Sequence, residues 1–307
     1  MTIPNETMEI ATWGDHQITP QELDAARQTV RRFPGLSRSE LARTICEHWG
    51  WVTASGSLKV TACLKVLEEL EDRGMVRLPG KRPMTRWDTD QARGAAPTER
   101  TNPGAPLVGK LSEVGSVWLE ALQSKERARL WNEYVERYHY LGYRQPFGCS
   151  QRYFVHSQAG LLGCILMAGA AKALAARDRW IGWEGQRRRQ NLPWVINNTR
   201  LLIFPWIRID HLGSHVLGQL ARRVGPDWQE RWGYRPLLME TFVDPQKFPG
   251  TCYRAAGWLG LARTTGRGLA RAGQAYESTP KLIYLKALAP DFRERLCGGP
   301  LQGRVQP

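Results

Sequence analysis

Three stretches decide the fold: Gly160–Trp183, GLLGCILMAGAAKALAARDRWIGW; Ile203–Gly225, IFPWIRIDHLGSHVLGQLARRVG; and Pro236–Gly268, PLLMETFVDPQKFPGTCYRAAGWLGLARTTGRG. The first opens on a run to Ala171 that is nearly all apolar, the mark of a strand buried on both faces. SQRYFVHS at 150–157 is its partner across a Gln158-Ala159-Gly160 turn, and Thr199–Ile209 is another buried strand. In the second stretch Val216, Leu217 and Leu220 recur at helical spacing and face a core. PLLMETFVD and, further on, KLIYLKAL at 281–288 close the series of strands. Alternating strands and helices around a mixed sheet predict an α/β or α+β domain over residues 107–290, followed by a tail at 291–307.

Upstream, Thr19 caps a helix that runs to Arg32 with Pro20 at its first position. Ser37 and Glu40 form a capping box for a second helix, whose Leu41, Ile45 and Trp49 recur at i, i+4 and i+8. LKVTACLKVLEELEDRG at 58–74 is a third, stopped by Gly74. Met75–Trp87 reads as a strand, a Pro-Gly-Lys-Arg turn and a returning strand. Three helices and a basic hairpin predict a winged helix-turn-helix over 17–87, whose third helix enters a groove while the wing meets the backbone. Glu68, Glu69, Glu71 and Asp72 would repel phosphate, so docking falls to the start of the helix, Ser55, Ser57, Lys59 and Thr61, with Lys81, Arg82 and Arg86 on the wing. A winged helix used for protein contacts is the alternative. Residues 88–106 collect Pro, Gly, Thr and Ala and read as a linker, and Ser116 to about Tyr138 as one helix.

Across 307 residues, 43 Lys and Arg stand against 29 Asp and Glu, a net charge of +14. A polyanion, DNA above all, is the partner this implies; a merely basic surface is the alternative. Six cysteines without Cys-x-x-Cys or zinc spacing read as reduced thiols, and no metal site is expected from them. The N-terminus lacks a secretory pattern and no apolar run reaches bilayer length, so no membrane role and a cytoplasmic location are expected.

Two motifs carry a resemblance to N-acetyltransferases. Arg208-x-x-His211-x-Gly213-Ser214-His215-Val216-Leu217 follows the loop by which those enzymes hold coenzyme pyrophosphate on backbone N–H groups at a helix start. Gln246, Pro249, Tyr253, Gly257 and Trp258 are similar to their later signature. The resemblance implies a C-terminal N-acetyltransferase-like domain, Arg208, Gly213 and Ser214 at the coenzyme, and Tyr253 as general acid near the leaving thiolate. His211 departs from the pattern where a glycine stands and would crowd a phosphate, which argues against an acyl-coenzyme A site of the usual form.

A resemblance covering most of the chain is to the DruA family of bacterial proteins, known from the Druantia anti-phage system and from the vicinity of mobile elements. It rests on Tyr138–Tyr143, Arg177-Asp178 before Ile181-Gly-Trp183, Asn198, Leu212–His215, Glu240–Asp244, Tyr253–Ala256 and Thr265–Gly268. It implies antiviral defence with partner proteins of a defence or transposition system.

Other candidates come from the residues alone. Glu240 and Asp244 share one side of a strand end at period two, and with Asp178 they would hold Mg²⁺ for phosphodiester cleavage; the alternative is an ion pair between Glu240 and Arg200 or Arg208. His215 is a candidate base and Ser214 an N-cap. Arg187, Arg188 and Arg189, in a polar loop, and Arg263, Arg267 and Arg271, in a glycine-rich segment, would line a nucleic-acid groove with Trp183, Trp194 or Trp206 for stacking. The function expected is thus a DNA-binding defence or mobile-element protein with a transferase-like pocket that modifies nucleic acid; a metal-dependent nuclease and a non-catalytic DNA sensor are the alternatives.

Overall fold

The computed structural model describes residues 11–13, 16–80, 97–146, 148–266 and 279–303. The chain divides into two units, Met1–Ala95 with Gln302–Pro307, and Ala96–Leu301.

In the first unit a short hairpin, β1 (Ala11–Trp13) and β2 (His16–Ile18), precedes three helices: α1 (Pro20–Arg32), α2 (Arg38–His48) and α3 (Val60–Asp72). Thr19 and Ser37 both close capping boxes, with Glu22 and Glu40 respectively, so each helix start satisfies two of its orphan N–H groups. Leu23, Leu41, Ile45, Leu67 and Leu70 fill the core between the helices. The acids that end α3 are held internally: Glu71 takes Arg38 at 2.7 Å and Glu69 takes Arg73. The strand expected from Met75 does not form up to Gly80; this segment is irregular, with Val76 and Leu78 turned into the helical core. The turn residues Lys81 and Arg82, and Arg86 on the returning strand, lie outside the described residues.

The second unit carries a seven-stranded mixed sheet. Its strands are β4 (Val117–Ala121), β5 (Gln151–Ser157), β6 (Gly160–Gly169), β7 (Val195–Ile203), β9 (Leu238–Val243), β10 (Leu259–Arg263) and β11 (Leu282–Ala287). The order is β10-β11-β9-β7-β6-β5-β4. Every pair is antiparallel except β7 with β9. A second small sheet pairs β3 (Leu107–Gly109) in parallel with β8 (Ile207–Ile209). Six helices flank the strands: α4 (Lys125–Tyr138), α5 (Ala175–Ile181), α6 (Gly185–Asn191), α7 (Leu212–Trp232), α8 (Thr251–Ala255) and α9 (Phe292–Cys297).

Three expectations are corrected here. Ser116–Tyr138 is not one helix: Val117, Leu119 and Ala121 alternate along β4, and the helix starts only at Ser124, whose hydroxyl caps it. The strand expected over 199–209 breaks at Pro205-Trp206, and its second half leaves the main sheet to pair with β3. Gln186–Gln190 is part of a helix rather than a polar loop. The chain just before β3 is packed down, with Thr101 buried and its hydroxyl donating to Glu133.

A candidate group-transfer pocket between diverging strands

β7 and β9 pair for only three residues, Val195–Asn197 against Leu238–Glu240, and then part. Two parallel strands that diverge leave backbone groups and a wedge of space, the place where ligands enter open α/β sheets. The side chains nearest the divergence take over where the ladder ends. Thr241 Oγ1 donates across the gap to the Asn198 carbonyl at 2.9 Å. β7 bulges beside it: Leu166 faces Arg200 and Met167 faces Asn198, leaving Thr199 without an opposite number. A bulge re-aims the neighbouring side chain, and Asn198 is that neighbour. Its Nδ2 donates to the carbonyls of Leu166 and Arg200 at 3.2 and 2.9 Å. With the amide fixed on two acceptors, Oδ1 is the atom left to receive a proton donor.

That donor is Tyr253, whose hydroxyl meets Asn198 Oδ1 at 2.7 Å. Tyr253 sits on α8 directly after Gly250, which takes φ 69°, a conformation open to glycine at little cost. The ring stacks on Tyr284, 5.6 Å between centroids, and meets Trp258 edge-on. Burial pushes the Tyr253 phenol well above the ordinary tyrosine range, against a small opposing pull from Thr241, so its proton stays on at neutral pH. Tyr253 lines a cavity of about 190 Å³ together with Asp244, His139, Tyr140, Phe248 and Cys252.

α7 starts against the same place. Its N-cap, His211, is the one described non-glycine residue at positive φ, 61°. It thereby holds a left-handed backbone of the kind glycine adopts most readily, with its side chain exposed. A Cβ on Gly213 would stand 3.1 Å from Cys252 Cβ, so glycine there lets α7 and α8 pack closely. Ser214 is not the cap expected; its hydroxyl donates to the His211 carbonyl at 2.9 Å from within the first turn. The first amides of the helix have no intrahelical acceptor by position, and they carry the positive end of a 21-residue dipole. Arg208 lies exposed on β8, just ahead of this turn.

The other candidates fall apart into separate groups. Glu240 is buried, and its partner is neither Arg200 nor Arg208 but Arg177, at 2.8 Å. Arg200 turns to the Gly142 and Thr199 carbonyls instead. Arg177, also fully buried, grips Asp178 with Nε and Nη2 at 3.0 and 2.8 Å. Burial raises the Glu240 carboxyl above the usual glutamate range, with Arg177 and the Ala171 N–H holding the rise in check. A guanidinium thus sits between two carboxylates expected to share a cation. Asp244 lies in the Tyr253 pocket, its Oδ1 accepting the Gln246 N–H at 3.0 Å. Among the described residues no three His, Cys, Asp or Glu side chains gather as a metal ligand set. His215 faces elsewhere, its Nε2 2.8 Å from the Gln219 amide, which also donates to the Val117 carbonyl on β4.

Of the basic candidates, Arg188 donates to the Lys172 carbonyl, Arg187 to Gln190, and Arg189 is exposed on α6. Arg263 is exposed at the end of β10, an edge strand; Arg267 and Arg271 lie outside the described residues. Lys59 caps α3 and sets its ammonium over the Trp51 ring, whereas Ser55 is buried. Trp183 and Trp194 are core residues without the open face expected of them, and Trp206, part-exposed, stacks on Phe204. His139, Tyr140 and Thr241 entered the sequence reading only as part of the family resemblance, with no site role, and Phe248 did not enter it; nothing in their spacing marks a pocket, because β7, β9 and the segment after α4 meet only in the fold.

The sheet and pocket define an α+β protein with a cleft where β7 and β9 part. A family model described as Druantia protein DruA matches residues 71–297, and the chain belongs to that family. No curated protein matches it. Among solved structures it is similar to aminoglycoside acetyltransferase AAC(6')-Ib in complex with coenzyme A and kanamycin, at 14% identity, covering 59% of this chain and 98% of that one with a TM-score of 0.36. Arabidopsis thaliana NAA60 with acetyl-CoA is similar at 10%, 56%, 98% and 0.38. A Bacillus subtilis acetyltransferase with CoA is similar at 9%, 57%, 100% and 0.32. These likenesses concern the fold alone. Among the described residues no helix is long and apolar enough to cross a membrane.

Proposed function

We propose that this DruA-family protein binds nucleic acid in anti-phage defence and transfers a small acyl group at the Tyr253 pocket. The observation that carries the reading is the Tyr253–Asn198 contact at the parting of β7 and β9, with a phenol held protonated by burial. A buried, protonated hydroxyl at the mouth of a wedge is suited to give its proton to a leaving group. Asn198, itself fixed on two carbonyls, keeps that hydroxyl in one orientation.

An acyl thioester of coenzyme A fits the helix start better than the His211 substitution alone suggests, since His211 adopts the backbone turn of glycine and keeps its side chain exposed. The amides of Leu212, Gly213 and Ser214, with Arg208, would hold its phosphates, and when bound it would supply the activated acyl group. Nucleic-acid binding is supported by the +14 charge and by exposed Arg189 and Arg263; Lys59 at the start of α3 is a proposed contact, as are Lys81, Arg82 and Arg86, which lie outside the described residues.

The nuclease reading draws no support from Asp178 and Glu240, whose oxygens already serve Arg177. Thermal unfolding of the full chain separates the readings. Ligand at about 100 times its Kd adds about 2.7 kcal/mol, so acetyl-coenzyme A should raise Tm by several degrees while Mg²⁺ leaves it in place. A shift with Mg²⁺ and none with acetyl-coenzyme A would overturn the transfer reading.

A further inference from the structure

The rim of the Tyr253 pocket is unusually apolar for a surface. Of the eight large hydrophobic side chains that stand exposed among the described residues, three gather here: Tyr140 at 40%, Leu141 at 41% and Phe248 at 50%. Exposed apolar groups that cluster mark a contact site, whereas scattered ones do not. Tyr140 and Phe248 touch, 5.6 Å between ring centroids, and the Lys247 ammonium lies 5.4 Å from the Tyr140 ring. The cavity is lined largely by apolar groups, among which Asp244, Asn198, Thr241 and Tyr253 supply the polar ones. At about 190 Å³ it falls short of the roughly 300 Å³ at which sites for drug-sized ligands begin.

We infer that this pocket takes a single unpaired nucleobase bearing an exocyclic amine, stacked at the rim on Tyr140 and Phe248 and met at the floor by the Asp244 carboxylate. The inference rests on the transfer reading for its purpose, and names the acceptor that reading leaves open. Aromatic faces beside a cation are how proteins hold unpaired bases of a charged strand. A carboxylate accepts from the exocyclic amine of cytosine or adenine, a donor that thymine lacks although its ring N3–H remains. Lys247, which lies over the Tyr140 ring, would attract the phosphates that flank a base.

His139 also lines the cavity, its ring stacked on Tyr140 at 4.9 Å between centroids. Its Nδ1 accepts the Leu141 N–H at 3.2 Å, and burial, aided by Arg200, depresses its pKa to about 4. The ring is therefore neutral with its proton on Nε2, a hydrogen-bond donor rather than a base.

Binding of short single strands to the full chain, with no acyl donor present, tests this. Three oligothymidine strands are compared: one with a central cytosine, one unmodified, and one with a central abasic site. The cytosine strand should bind tightest and the abasic strand weakest. Tyr140→Ala and Phe248→Ala, both at exposed positions, should each cost the cytosine strand roughly tenfold to a hundredfold in affinity and leave the abasic strand unchanged. Asp244→Ala, which removes the acceptor, should erase the preference for cytosine over thymine. Equal affinity for all three strands, or variants that weaken all three alike, would overturn the inference. Because the measurement contains no donor, such a failure leaves the transfer reading standing, and a failed transfer assay leaves base binding standing.

Discussion

Gly250 shows how one residue positions the chemistry. It turns the chain at φ 69° into α8, and an added Cβ would lie 2.6 Å from the Tyr284 hydroxyl. Gly250→Ala combines a strained backbone with a collision, and we expect a loss of about 1–3 kcal/mol in denaturant unfolding. Tyr284 is also the ring on which Tyr253 stacks, so the damage should reach the pocket. His139 gives the pH dependence. Its folded pKa of about 4 lies below the ordinary 6.5, so between those values the unfolded chain binds the additional proton. Stability is fully present above about pH 6.5 and falls as the pH drops towards 4. His139→Gln should flatten that part of a Tm-against-pH curve; an unchanged slope would place the titration elsewhere. Tyr253 was a candidate in the sequence only through the resemblance of Tyr253, Gly257 and Trp258 to the acetyltransferase signature. The role of Asn198 was not legible there, because it depends on a bulge at Thr199 and on a divergence from β9, both products of distant pairing.

At the scale of elements, α5 is tied to β9 by charge. Arg177 and Glu240 are 63 residues apart and both fully buried. Removing one member of such a pair strands the other, at a cost of about 3–5 kcal/mol. Arg177→Ala should therefore lower stability by about that amount in denaturant titration, and Mg²⁺ should not restore it; restoration by Mg²⁺ would revive a cation between Asp178 and Glu240. The type of interaction was readable from a glutamate in a buried strand, but its partner was not, because Arg177 lies on a helix outside the sheet. The misread start of α4 has a local cause. Leu119 and Leu122 satisfy a helical spacing while Val117, Leu119 and Ala121 satisfy a strand, and the capping Ser124 was the decisive signal. β8 escaped because its apolar residues continue those of β7, and only the Pro205-Trp206 break separates them.

Across the whole molecule, each unit is built around its own core, and the excess of 14 positive charges is spread along the chain. If the basic residues neutralise phosphates, the logarithm of affinity falls against the logarithm of salt by about 0.9 for each contact. A steep slope is expected for the full chain, shallower by up to about 3 when Arg187, Arg188 and Arg189 are replaced by Ala; an unchanged slope would remove α6 from the interface. The central claim is transfer at Tyr253, and mass spectrometry of nucleosides from DNA incubated with the full chain and acetyl-coenzyme A tests it most directly. The account predicts an acetylated nucleoside with the wild-type chain and a loss of a hundredfold or more, on the order of one general-acid contribution, with Tyr253→Phe folded at nearly the same Tm. An acetylated product formed equally by the variant, or none formed by the wild type while DNA and acetyl-coenzyme A both bind, would contradict it.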